Sequence, residues 1–209
     1  MSEHLFQAVF SEASGGQLVA GPAVWKNGDI SLEDEIPLTS VKEIRSGKER
    51  KKLLLFDAVS LSTRSFNAKF VEKVRITGSE IWLVETVRDL ADVADAFLAN
   101  ISRLVIPVHT VDSYDVLEDA MALSEDCVPL IVTESGTAQG EERDTTRILD
   151  RLVKTGFRNV VVMDLDGYMD DDLWHDLRSI CPGLIPYIPS DPENPNGAAI
   201  SLFGFEFSG

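Results

Sequence analysis

Six side chains fall where an apolar run gives way to a polar turn: Asp57, Glu85, His109, Glu134, Asp164 and Asp166. Each follows a short stretch that reads as a buried strand, namely Leu53–Val59, Ile81–Val84, Leu104–Val108, Val128–Val132 and Asn159–Met163. In barrels and open α/β sheets alike, function collects at the carboxyl ends of the strands. Five carboxylates and one histidine on one rim would raise one another's pKa or bind a cation. Two chemistries follow. One is proton transfer, with Asp57 or Asp164 as base, His109 as partner and Glu134 in the same cleft. The other is an oxygen-rich site for Mg²⁺ or Mn²⁺ on Asp164 and Asp166. A purely structural reading stands beside both. An aspartate at a strand end caps the helix that follows, which suits Asp57 and Asp166, and a buried histidine can be satisfied by backbone. Asp170, Asp171 and Asp172 read as helix-start residues, where the dipole favours acid.

The elements that must position these residues recur as a phrase of strand, polar turn and helix. The clearest copy runs from Phe157 to Trp174. Helical stripes are visible at Phe66, Phe70 and Val74, stopped by Gly78. Others run Leu90–Leu98, Val116–Met121 behind a cap at Asp112 or Ser113, Ile148–Val153 stopped by Gly156, and Leu173–Ile180. Ile36, Val41 and Ile44 suggest one more short helix ending at Gly47. With Leu5–Phe10, Leu184–Ile188 and Ala198–Phe207, the count of strands reaches eight. Alternation of this kind implies a parallel sheet. Eight units predict a (β/α)₈ barrel, short for the type, with the last helix reduced or missing; an open doubly wound sheet is the alternative. The segment Ser190–Gly197 is too proline-rich for a helix. Gln17–Leu32 predicts a hairpin around Asn27-Gly28, with Trp25 at an exposed tip that could cover a ligand.

The chain has 209 residues, 44% of them hydrophobic, enough for a single α/β domain over residues 1–209. Its net charge of −16 would repel phosphate backbones, so nucleic acid is not expected as a partner. The one basic run, Lys42–Lys52, reads as a solvated helix end. Cys127 and Cys181 do not form a CxxC motif and are expected as free buried thiols. No apolar run approaches the roughly 18 residues of a membrane span. A soluble, cytoplasmic protein is the expectation. No P-loop, GxSxG, GxGxxG or HExxH is present, so nucleotide and triad chemistry lack support.

Three stretches carry a resemblance. KKLLLFDAVSLS (Lys51–Ser62) is an apolar run into an aspartate. KTGFRNVVVMDLDGYMDDDLWHDLRS (Lys154–Ser179) is a helix end, strand and Asp-x-Asp loop. Gln17–Asn27 forms a hairpin after the first strand. Together they resemble the second unit, the sixth unit and the first hairpin of the ribotide isomerase and cyclase barrels of histidine biosynthesis. The resemblance implies acid and base at the ends of strands one and five, where this chain offers Glu12 and Glu134 instead of the family's aspartates. It also implies phosphate-binding glycine loops after strands seven and eight, where this chain has Pro189-Ser190-Asp191-Pro192-Glu193. Two functions are therefore expected as alternatives. One is an isomerase or lyase acting on a small phosphorylated or carboxylated metabolite. The other is a catalytically degenerate barrel that binds a partner or assembles. Loss of the last helix should expose the apolar flank of strands seven and eight, which predicts a homo-oligomer.

Overall fold

The computed structural model describes residues 6–40, 51–74, 79–191, 193–194 and 196–208. Eight parallel strands close on themselves: β1 (Phe6–Ser14), β2 (Lys51–Asp57), β3 (Ser79–Val84), β4 (Arg103–Pro107), β5 (Cys127–Glu134), β6 (Val160–Asp164), β7 (Leu184–Tyr187) and β8 (Ala199–Ser201). Each pairs in parallel with the next. β8 returns to β1 with Phe6 opposite Ala199. The barrel expected from the alternation is thus present, and all six central strands are parallel neighbours.

Helices cover the outside: α1 (Ala58–Thr63), α2 (Ala68–Val71), α3 (Leu90–Leu98), α4 (Tyr114–Leu123), α5 (Thr145–Thr155) and α6 (Asp171–Ile180). Their starts follow the chemistry of the sequence. Asp57, Asn67, Asp89, Ser113, Asp144 and Asp170 each accept hydrogen bonds from first-turn amides. Gly156, at φ 115°, ends α5 in the left-handed conformation that a glycine takes without strain. The helix expected from Phe66 is shorter, starting at its Asn67 cap, and its expected stop at Gly78 lies outside the described residues. Likewise Val41–Gly47 and most of the basic run Lys42–Lys52 lie outside them, while Ile36–Pro37 is a strand. No helix of the described residues lies between β7 and β8.

Two apolar layers result from the two-residue period of the strands. The outward row, such as Leu53 and Leu55, packs under the helices with Val93, Leu117, Leu152 and Trp174. The inward row, such as Phe6, Phe10, Leu54, Phe56, Trp82, Val132, Met163 and Tyr187, fills the barrel. At its bottom Phe6 meets Trp82 edge-on at 4.6 Å. Near its top Phe10 stacks on Phe56 at 4.4 Å, and Tyr187 lies 5.7 Å from Phe56.

A second, three-stranded sheet sits over this top. Ala23–Lys26 and Asp29–Leu32 form the hairpin expected at Asn27-Gly28, whose φ values of 53° and 86° suit a two-residue turn, while Gln17–Ala20, expected as part of it, pairs antiparallel with the end of β1 instead. The expected last strand Ala198–Phe207 is instead two pieces: β8, and Phe205–Ser208, which leaves the barrel to pair in parallel with Ala23–Lys26. Trp25 is only 2% exposed, so it is not at an open tip; with Ile30 and Phe205 it continues the interior cluster upward. α1 fastens this lid, since the Ile30 amide donates to Ser62 Oγ at 2.7 Å. Gly21 lets the lid close: a Cβ there would lie 2.1 Å from the Glu33 carbonyl oxygen. Gly21→Ala is expected to cost about 2–3 kcal/mol in urea unfolding, the scale of a forced backbone shift. A loss under about 0.5 kcal/mol would show that the lid packs less closely.

The exposed apolar flank expected on strands seven and eight is absent from strand seven, while on β8 Ala199 is buried and Ile200 and Ser201 are half-buried. Leu184, Ile185, Pro186 and Tyr187 are all buried within the one chain.

Candidate functional site

The barrel mouth, where strand-end chemistry would be expected, is filled. Phe10, Phe56 and Tyr187 close it from below, and Trp25, Leu165, Phe205 and Phe207 pack on them from above. Strand-end side chains reach the mouth only if they belong to the inward row. Asp57 is two residues from Leu55, and Asp164 two from Val162, both outward-row residues. Each aspartate is completely buried between barrel and helix layer and gives one of its two carboxylate oxygens to backbone amides.

Asp57 Oδ1 accepts from the Val59 and Ser60 amides, at 3.0 and 3.2 Å, and so caps α1. Its neighbour on the next strand is Glu85, also fully buried, whose Oε1 accepts from the Asn67 amide at 3.1 Å. Asp57 Oδ2 and Glu85 Oε2 are buried without a donor among the described residues. Burial pushes Asp57 up to about 6, and burial together with the Asp57 charge holds Glu85 well above the usual carboxylate range. Two buried carboxyls whose charges oppose each other favour keeping a proton on the pair. Sequence reading placed Glu85 on the rim but not in this pair. The signal was available: Asp57 and Glu85 each follow directly on the paired residues Phe56 and Val84.

Asp164 Oδ2 accepts from the Met169 amide at 2.9 Å, closing the turn into α6. Burial, with Asp166 nearby, pushes Asp164 up to about 6. Asp166 accepts from the Ser135 amide at 3.0 Å and its hydroxyl at 3.1 Å, and so holds the tight turn Ser135-Gly136 after β5. It does not cap a helix. Glu134 is half-buried at the β5 end, where it pairs with Thr137. Glu12 is half-buried, and burial and the Glu35 charge raise its pKa. Of the two acids expected to hold Mg²⁺ or Mn²⁺, Asp166 serves the Ser135 amide and hydroxyl with its oxygens, while Asp164 keeps Oδ1 buried and without a hydrogen-bond partner among the described residues. Among the described residues no group of three histidine, cysteine or acidic side chains could hold a metal ion.

His109 lines a different space from Asp57, Glu134 and Asp164. It lines a cavity of about 520 Å³ on the rim, between the segment after β4 and the loop after β5. Arg64, Ser113, Tyr114, Gln139, Glu141 and Glu142 share its walls; Asp57, Glu134 and Asp164 do not. Burial, then the Arg64 charge, lowers His109 to about 4. The ring is therefore neutral at neutral pH. Gly140, at φ 112°, lies against it, and a Cβ there would come 3.4 Å from His109 Cβ. Sequence reading found His109 but missed Arg64, Gln139 and Glu141, because they sit on loops whose approach no periodicity encodes.

Among the described residues no helix is long and apolar enough to cross a membrane. No known protein family and no curated protein matches the chain.

Proposed function

We propose that this chain is a catalytically degenerate barrel that works by binding, with its rim and not its mouth as the ligand-bearing surface. The filled mouth carries this reading. An isomerase or lyase of this architecture needs room for substrate at the C-terminal ends of its strands, and here that space holds Phe10, Phe56, Trp25 and Phe205. The hydrogen bonds of Asp57 and Asp164 support it, since both acids maintain turns. A cytoplasmic location belongs to the same proposal, supported by the free thiols of Cys127 and Cys181. The likeness to ribotide barrels is kept as a proposal about descent. A homo-oligomer has lost its motive on strand seven; light scattering showing twice the monomer mass would restore it.

The test is an assay of aldose–ketose interconversion on sugar phosphates, alongside Asp57→Asn and Asp164→Asn. No turnover is expected, and both variants should lower the thermal midpoint. Turnover that Asp164→Asn abolishes while the protein stays folded would reinstate the acid/base enzyme.

A further inference from the structure

Opposite charges line the rim cavity without neutralising each other. Arg64 stands at the end of α1; Asp112, Glu141 and Glu142 stand on the segments after β4 and β5. The ion pairs of the described residues involve none of these four side chains. Arg64 is also fixed by its backbone at the end of α1. Its backbone is left-handed at φ 51°, and its amide donates to the Ser60 carbonyl. The other non-glycine residues with positive φ are Asn27, Asp34, Asn100 and Ser135, all short and polar. In Arg64 this conformation ends α1 and sets the residue at the edge of the cavity. Below it, Val111 and Ile148 give the cavity an apolar floor, and Ser113 caps the ten-residue α4, whose N-terminus favours negative charge.

We propose that this cavity binds a small zwitterion of the amino-acid class, its carboxylate on Arg64 and the α4 start, its ammonium on Glu141 and Glu142. This rests on the binding reading above and names its ligand. A bare anion would meet three carboxylates. A bare cation would leave Arg64 without a partner on the ligand. A zwitterion meets both, and an arginine fork suits a carboxylate in two-point contact. The volume of about 520 Å³ lies within the range of small-ligand sites and admits an amino acid with its side chain on the Val111–Ile148 floor. The neutral His109 ring neither repels the ammonium nor competes with Arg64.

The experiment is isothermal titration with L-leucine, L-phenylalanine, L-glutamine and L-lysine. Any binder is then compared with its decarboxylated amine and its deaminated acid; for leucine these are 3-methylbutylamine and 4-methylpentanoate. At least one amino acid should bind, and each single-charge analogue should bind about tenfold more weakly or worse, one charge-assisted contact being worth that factor. Arg64→Asn keeps a residue that tolerates the left-handed backbone and should weaken binding about tenfold without moving the ligand-free thermal midpoint. Glu141→Gln combined with Glu142→Gln should do the same. The proposal is overturned if none of the four binds, if an amine or acid binds as well as its amino acid, or if Arg64→Asn binds as tightly as the parent. Sugar-phosphate turnover, by contrast, would sink the binding-module reading itself.

Discussion

Trp25→Ala should lower the stability of the fold by about 3–5 kcal/mol, the usual cost of deleting a large aromatic side chain from a core. The side chain is 2% exposed and joins the lid to the barrel interior, so its loss uncovers Phe10 and Phe56 and not merely a gap in a loop. The variant should therefore also bind a hydrophobic dye under native conditions. Trp25→Phe is the informative control. Trp25 Nε1 is buried without a hydrogen-bond partner among the described residues, a burden of about 1–3 kcal/mol that phenylalanine does not carry. Phenylalanine should then cost much less than the lost ring area suggests. Urea denaturation of the three proteins decides it. An alanine variant within about 1 kcal/mol of the parent would mean that the lid is not anchored there.

The second large effect is on the pH dependence of stability. A carboxyl whose pKa is raised by folding stabilises below its unfolded value and loses that contribution as pH rises through the folded one. Asp57 and Asp164 do this up to about 6, and Glu85 continues beyond them. His109 acts in the opposite sense: lowered to about 4, it stabilises above the ordinary histidine value and loses that as pH falls from about 6.5. The two tendencies oppose each other on the acid side. Between about pH 6.5 and 8, below the range in which the raised thiols of Cys127 and Cys181 begin to count, the Asp57–Glu85 proton is the one left to be lost, and unfolding free energy should decline with pH, by at most about 1.4 kcal/mol per pH unit for one proton. Glu85→Gln keeps a donor toward Asp57 and a carbonyl for the Asn67 amide while removing the titration. It should flatten that decline, whereas Glu85→Ala should destabilise at every pH. Equal slopes for parent and Glu85→Gln between pH 6.5 and 8 would show that the pair does not share a proton.

Much of the architecture could be read from residues alone. The β-branched runs, each followed by a cap and a helical stripe, announced the barrel, and Asn27-Gly28 announced its hairpin. The site was harder, for a reason visible at Asp57. Strand ends were treated as if every terminal residue faced one rim, but side chains alternate faces along a strand. Counting two residues back from Asp57 to Leu55, or from Asp164 to Val162, would have put both acids under the helices. Trp25 was misplaced for a different reason. Its neighbours Phe205 and Phe207 are remote in sequence, and no local pattern records a lid made by two distant segments. Arg64, too, stood in an unremarkable polar stretch, and only the fold brings it beside His109.

That lid and the barrel seam share a property with consequences in the cell. β8 meets β1, and Phe205–Ser208 meets Ala23–Lys26, across separations on the order of 190 residues. Phe10, Trp25 and Phe56 are therefore translated long before the segments that seal them. For most of its time on the ribosome the nascent chain carries an open half-barrel with an aromatic interior and an unpaired edge on β1. Such a chain is prone to self-association until its final strands emerge. Its yield should depend on synthesis rate and on chaperones that shield apolar surface more than its finished stability alone would suggest.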